Sequence, residues 1–599
     1  MLEGSSSNIH SYQAPCGDRS NTVPKTSSRG RIYRKRKILL FLALILFLCG
    51  VIFISFYYSP SLLNTSSSTG NIGKQSKTVP IGVYTKAAVS SEVGLCSTIG
   101  KNTLLAGGSA VDAAIASLVC IGVVNNFSSG IGGGGFILIR EPNGTSIVID
   151  FRETAPSLAY KEMFENDVSQ IVKGPLSIAI PAEIKGFSEA HKRFGKLPWK
   201  DLFWPSIKLA REGFRVPSEL AMRLKKFESV ILNEEGLSKT YTRNGSVYSE
   251  GEILKRGNLA STLELIAEQG ADVFYHGQLA KTMVKNLRKA GAIISLKDLG
   301  SYNVVIRKPL EGFYRDRKVI TAGIPASGSI VLQVLGILER FKLNRNTVEN
   351  IHILVEALKH GYASRSLLGD PVPPFKEQTF PPEYYDVQFE EKDDHGTTHV
   401  SVLDEHGMAV SCTSTVNLEF GSKVLDHETG ILFNNEMDDF SLSSFNNSFI
   451  LPPNPHNFIG PRKRPASSSS PLIILGRNSS KVEAVLGGAG GSRIISATIQ
   501  VRMQQTVINL FDYKMNAEES VSHLRLYHQY KPDFVRSIPD FLIPIDTNIV
   551  KHLKSRGHIV NILSAFKYLS MVQLVYRNPV NGVIEAVSDP RKQGAPDGY

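Results

Sequence analysis

Residues 395–415 read His-Gly-Thr-Thr-His-Val-Ser-Val-Leu-Asp-Glu-His-Gly-Met-Ala-Val-Ser-Cys-Thr-Ser-Thr. Thr397–Leu403 and Met408–Thr415 are β-branched and alternate around Glu405-His406-Gly407, which predicts a β-hairpin. The approach, Glu391-Lys392-Asp393-Asp394-His395-Gly396, is polar and leads directly into the first strand. A cut between Gly396 and Thr397 would make Thr397 an N-terminus, with a free α-amine beside its hydroxyl to serve as base. Thr at the start of a strand is commonplace, so the residues alone leave an ordinary strand open as the alternative. His395 and His399 are four apart, a zinc spacing on a helix, but on a strand that spacing separates them, and neither an HExxH pattern nor a cysteine ligand supports a metal. There is no GxSxG elbow, and Cys412 has the setting of a buried strand cysteine.

Working outward, a second hairpin is expected from Phe136–Arg140 and Ser146–Phe151 around Pro142-Asn143-Gly144. Upstream, Ser90–Ile99 has a helical pattern. Gly107-Gly108 ends it, and Ser109 with Asp112 caps a second helix, Ala110–Val119. Cys96 and Cys120 lie on this helix pair, where a bridge is expected; two free buried thiols are the alternative. Leu197 to about Gly361 is largely helical in pattern. Pro371–Pro382 is irregular, Pro452–Ser470 is a long loop ending in four serines, and Val482–Leu486 is strand-like. Ile494–Leu510 is a long amphipathic segment. Hairpins and helices in separate blocks point to a layered α+β fold rather than a doubly wound parallel sheet. The glycine runs Gly132–Gly135 and Gly487–Gly491 fit neither phosphate-loop nor dinucleotide spacing. They read as places where backbone approaches closely, and exposed N–H groups there suit an oxyanion hole.

The 599 residues carry 67 Lys+Arg and 55 Asp+Glu, a net charge of +12. Half of that excess sits in residues 1–37, with eight basic and two acidic side chains, so a nucleic-acid footprint is not expected on the remainder. Ile38–Tyr58 is 21 residues without a charge, preceded by Arg34-Lys35-Arg36-Lys37. This reads as an uncleaved membrane span with the N-terminus cytosolic and the bulk outside, at the plasma membrane as a single-pass type II protein; a cleaved signal peptide is the competing reading, disfavoured by the long preceding tail and the length of the apolar run. A Ser/Thr/Asn-rich stem, 59–78, follows. Sequons at Asn64, Asn126, Asn143, Asn244, Asn446 and Asn478 agree with an exported body.

The motifs Gly396-Thr397-Thr398-His399-Val400-Ser401, Thr413-Ser414-Thr415-Val416-Asn417, Gly430–Phe440 (GILFNNEMDDF), Phe151–Pro156 (FRETAP), Pro465-Ala466-Ser467-Ser468, Gly487–Gly491 and the terminal DPRKQGAPDGY together resemble the γ-glutamyltransferases, N-terminal nucleophile hydrolases. The likeness runs from about Val79 to Tyr599, and the single N-terminal anchor looks like the animal members. The resemblance implies a four-layer αββα sandwich after one transmembrane helix, with a large subunit 79–396 and a small subunit 397–599 made by self-cleavage and held as a heterodimer. It implies that Thr397 attacks glutathione or a γ-glutamyl conjugate, and that water, an amino acid or a dipeptide resolves the acyl-enzyme, without cofactor or metal. It places Arg152, Ser467 and Ser468 on the donor α-carboxylate and Asn417, Glu436 and Asp439 on its α-ammonium. Thr415 would support the nucleophile, and the Gly490 and Gly491 amides would form the oxyanion hole. Two other readings are a catalytically silent surface interaction protein and a hydrolase of the same type with another acyl donor. Loss of Thr397 or Arg152 would favour the silent protein, and both are present.

Overall fold

The hairpin expected at Thr397 forms, and both of its faces are buried. In the computed structural model, which describes residues 81–343, 348–370, 396–443, 453–499, 506–522, 525–528, 535–538, 547–562 and 570–599, it lies in the middle of a sheet. The cytosolic tail, span and stem expected from sequence lie outside the described residues, as do Pro371–Pro382, residues 391–395, Asn64 and Asn446. Among the described residues no helix is long and apolar enough to cross a membrane.

In chain order the framework comprises β1 (Ile81–Tyr84), β2 (Ala88–Ser90), α1 (Gly94–Leu105), α2 (Ala110–Val124), β3 (Gly134–Arg140), β4 (Ser146–Phe151) and α3 (Glu183–Phe194). After a helical stretch come β5 (Val305–Arg307), β6 (Leu310–Tyr314), β7 (Arg317–Thr321), α4 (Gly328–Leu338) and α5 (Val348–Arg365). The hairpin is β8 (Gly396–Leu403) and β9 (Ala409–Asn417). Then follow β10 (Leu472–Leu475), β11 (Val482–Ala489), α6 (Ile494–Ile499), α7 (Thr506–Phe511), α8 (Ala517–Ser522), α9 (Thr547–Ser555), β12 (Met571–Arg577), β13 (Ile584–Ser588) and β14 (Asp597–Gly598).

The strands make two seven-stranded antiparallel sheets, ordered β14-β2-β8-β9-β3-β4-β5 and β1-β13-β12-β11-β10-β7-β6. Each sheet combines strands from before residue 396 with strands from after it. Ala88, Phe136, Leu138 and Leu403 of the first sheet pack against Ile473, Val485, Val575 and Ala586 of the second. The outer face of the first sheet packs on α1, α2 and α3, and that of the second on α4 to α8. The layers are therefore helix, sheet, sheet, helix, as the resemblance implies.

Strand period explains why the hairpin is buried twice over. Val400, Val402, Val410 and Cys412 face the helices. The alternate residues face the second sheet; Leu403 and Ala409 among them are apolar, and the polar ones find partners: the Ser401 hydroxyl donates to the Gln573 carbonyl at 3.0 Å and that of Ser411 to the Leu486 carbonyl at 2.9 Å. Close sheet contact also fixes Gly487, where a Cβ would lie 2.2 Å from the His399 ring.

Two expectations shift. The first helix begins at Gly94, not Ser90, because Ala88–Ser90 pairs with Leu403–Ser401 and holds the chain extended. Within Leu197–Gly361, β6 and β7 are strands, although Leu310–Thr321 carries little apolar alternation; their pairing with the sheet edge beside β10 overrides it. The Ser109–Asp112 capping box forms as read. Cys96 and Cys120 are disulfide-bonded, pinning α1 to α2, and Cys412 is buried and free. Converting both bonded cysteines to alanine should cost about 3 kcal/mol, the chain-entropy value for the loop they close, measured as a lower denaturation midpoint.

Asn143, Asn244 and Asn478 are exposed, as glycan acceptors require. Asn126 corrects the expectation: it is 3 % exposed and accepts a hydrogen bond from the Tyr241 hydroxyl, so the folded protein has no room for a glycan there.

Candidate active site

Thr397 is the second residue of β8, at a register shift between Gly396 and itself. Its side chain has the parity of His399 and Ser401, so it points between the sheets. Its hydroxyl lies 3.0 Å from that of Thr415 on β9. The Thr415 hydroxyl donates to the Gly396 carbonyl at 2.8 Å and accepts from the Asn417 N–H at 2.8 Å. With its one proton on Gly396, Thr415 can only accept from Thr397. The Gly396 carbonyl is thus polarised beside the hydroxyl that follows it in sequence. Gly396 has no room for a side chain: a Cβ would lie 2.2 Å from the carbonyl oxygens of Asn417 and Leu418.

Behind Thr397, the buried Lys592 ammonium donates to the Thr397 carbonyl at 3.2 Å and the Ser128 hydroxyl at 2.9 Å, and pairs with Glu92 at 2.6 Å. Sequence reading gave Lys592 no role, although it lies in the terminal DPRKQGAPDGY motif. It reaches Thr397 across 195 residues, a separation no spacing rule detects.

A narrow pocket of about 20 Å³ gathers Arg152, Thr397, Thr415, Asn417, Glu436, Asp439, Ser467, Ser468 and Gly491. Every expected donor-binding residue is among them. Gly490 does not line it but immediately precedes Gly491, at the turn where β11 ends, with φ of +125° and +57° for the two. Larger clefts, of about 460 and 560 Å³, lie elsewhere and contain neither Thr397 nor Arg152. Size does not select the site; the convergence of nucleophile and paired charges does.

Arg152 follows β4 and is fully buried, not in a surface ion pair with Glu153. Its Nη1 pairs with Glu436, its Nη2 with Asp439, and Glu153 stands 3.7 Å away. Nε and Nη2 also donate to the Pro465 and Ala466 carbonyls at 3.3 and 3.2 Å. Glu436 and Asp439 sit on a single 3-10 turn, Glu436–Asp439, buried rather than solvated. Asn417 is held by the Asn435 carbonyl at 3.0 Å. Arg365 donates to the Ser468 hydroxyl at 2.6 Å, and the Ser467 hydroxyl donates to that of Ser469 at 3.0 Å.

The Arg152 guanidinium therefore faces three buried carboxyls, with Arg365 a second positive charge acting on Asp439. Burial raises all three against Arg152's opposing pull: Glu436 well above the usual range, Asp439 upward, and Glu153 to about 8. A pocket with more carboxyls than cations is built to take another cation. His399 is no metal ligand: it is buried, its ring nitrogens are 2.9 and 3.2 Å from the Thr413 and Ser411 hydroxyls, and burial pushes its pKa down to about 3.

Glu183, unforeseen from sequence, accepts from the Ser414 hydroxyl, and burial pushes its pKa up to about 8. The unfolded chain loses this proton near 4.5 and the folded protein only near 8, so between those values the folded state binds more protons. Stability from this group therefore falls as pH rises through that window. Glu183→Gln should flatten the fall, measured as the change in denaturation midpoint between pH 5 and about 8.

The sequence matches the Gamma-glutamyltranspeptidase family over residues 96–376 and 373–599. It is 40% identical over 544 residues to glutathione hydrolase proenzyme 1 of Schizosaccharomyces pombe, covering 85% of this chain and 84% of that one. It is 39% identical over 549 residues to glutathione hydrolase 2 of Arabidopsis thaliana, covering 86% and 93%. The crystal structure of cephalosporin acylase from Bacillus halodurans superposes with a TM-score of 0.74 over 90% of this chain and 99% of that one, and at 23% identity this likeness speaks for the fold alone. The match to the family over most of its length, and to relatives at about 40% identity, means that this chain belongs to the gamma-glutamyltranspeptidase family.

Proposed function

We propose that the chain is a self-processing glutathione hydrolase and γ-glutamyltransferase with Thr397 as nucleophile. The observation that carries the reading is the Gly396–Thr397–Thr415 geometry at the mouth of the Arg152 pocket. In the precursor the Thr397 hydroxyl attacks the Gly396 carbonyl carbon, and the Thr415 hydroxyl supports the developing oxyanion. The C–N bond breaks, its nitrogen leaves as the α-amine of Thr397, and water hydrolyses the resulting ester. The large subunit then ends at Gly396 and the small one starts at Thr397.

The freed α-amine takes the hydroxyl proton as Thr397 attacks a γ-glutamyl carbonyl. The tetrahedral oxyanion is assigned to the Gly490 and Gly491 amides, and the leaving amine takes the proton back. Water yields glutamate; an amino acid or dipeptide yields a new γ-glutamyl bond. Donor selection follows from charge. The α-carboxylate is assigned to Arg152, Ser467 and Ser468, and the α-ammonium to Asn417, Glu436 and Asp439, where it makes up the deficit of cations. An N-acetylated donor, lacking that cation, should fail to compete.

Ile38–Tyr58 is proposed to anchor the enzyme as in animal members, with the catalytic body extracellular at the plasma membrane and glycans at Asn143, Asn244 and Asn478. The test is a denaturing gel of the purified protein, N-terminal sequencing of the smaller fragment, and a γ-glutamyl donor assay on the same sample. A fragment starting at Thr397 with donor cleavage is expected. A folded, uncut and inactive chain would favour the silent surface protein.

A further inference from the structure

Far from Thr397 in sequence, three metal-ligating side chains converge. His352 and Glu356 stand four apart on α5, so they share one face of that helix. The turn after α9 brings His558 to that face. His352 Nδ1 and His558 Nε2 are 2.8 Å apart, His558 Nε2 and Glu356 Oε1 are 3.6 Å apart, and all three ligand atoms lie within 4.8 Å of one another. We propose that His352, Glu356 and His558 form a binding site for a divalent transition metal of the zinc class, with water completing the shell.

Two imidazoles and one carboxylate are a zinc-type donor set. At Zn–N distances of about 2.0–2.1 Å, tetrahedral ligand atoms are separated by roughly 3.3 Å. Two of the separations, 2.8 and 3.6 Å, bracket that figure and the third lies within 4.8 Å, so the rings need open by about half an ångström while the half-exposed Glu356 side chain adjusts to meet the ion. The proton balance is also simple. The hydrogen now shared between His352 Nδ1 and His558 Nε2 moves to the outer nitrogen of its own ring, and both inner lone pairs turn to the metal. His558 is buried, whereas Glu356 is half-exposed and leaves a way in. The competing cation is Lys359, 3.0 Å from Glu356 Oε1 on the same helix; being partly exposed, it can turn to solvent when a dication arrives. His552 and Arg556 are engaged by Glu349 and stand outside the set.

The ligands are 206 residues apart, so no spacing motif announces them. A metal here would tie α5, which precedes Gly396, to the turn after α9, which follows Thr397. Binding itself does not depend on processing, so Thr397→Ala protein should bind as wild type does, and the two proposals fail separately.

The test is titration of tag-free, metal-stripped full chain with Zn²⁺, by calorimetry and thermal shift, then with Co²⁺ by visible absorption. One equivalent bound, a raised melting temperature and a Co²⁺ band are expected. His558→Gln and Glu356→Gln should each weaken binding about tenfold or more. Glu356→Gln keeps the shape of a half-exposed side chain and guards against misfolding. A folded wild-type chain that binds Zn²⁺ no better than about 100 μM overturns the proposal, as does binding unchanged in both variants.

Discussion

Thr397→Ala protein is expected to purify as one uncut chain of 65.7 kDa without donor hydrolysis, where the wild type gives two fragments. In the proposed mechanism the same oxygen serves both reactions, so both should be lost together. Without it, Thr415 still polarises the Gly396 carbonyl, but nothing attacks it. Losses on deleting a nucleophile of this kind are roughly 10³–10⁶-fold. Thr397→Ser keeps the oxygen and should retain partial processing and activity. The alanine side chain adds no bulk beside Thr415, so the melting temperature should change little. An alanine protein that still splits at this bond would remove Thr397 from the scission step.

The second large effect is expected at Arg152. Removing it as Arg152→Met leaves Glu153, Glu436 and Asp439 buried without their cation. Breaking a buried ion pair from one side typically costs about 3–5 kcal/mol. Part of that cost is relieved here, because burial already favours the protonated carboxyls. Arg152→Lys separates stability from recognition. It keeps one positive charge among the acids, so the fold should survive. It loses the planar fork that reaches Glu436, Asp439 and the Pro465 and Ala466 carbonyls at once. We expect kcat/KM to drop about 10²-fold or more, chiefly through KM, with two subunits still formed. Unchanged donor kinetics in the lysine variant would mean that the α-carboxylate is bound elsewhere.

Much of this arrangement was legible before any coordinates. The hairpins could be read because β-branched alternation and turn residues are local signals. The capping box and the disulfide partners were equally local, both lying on consecutive helices. Resemblance supplied the pocket residues, which composition could not have selected: Arg152-Glu153 reads as a surface pair until burial is known. What escaped reading shares one cause. Lys592 on Thr397, Glu183 on Ser414, Arg365 on Ser468 and His558 on His352 are contacts between distant segments, made by residue types that are ordinarily solvated. Asn126 failed for the same reason in reverse, since a sequon carries no record of what will pack over it.

The mixing of strands from the two sides of residue 396 in both sheets bears on how the two expected subunits could be assembled. β8 and β14 flank β2 and β9 pairs with β3, so each of the three is hydrogen-bonded to a strand from before residue 396. Fragments released at Gly396 could not be prised apart without tearing both sheets, nor traded between molecules once formed. Two halves made as separate polypeptides would each expose unpaired sheet edges while awaiting the other. If the chain cleaves itself as proposed, a single continuous chain is the assembly device, and scission is expected to follow folding rather than precede it.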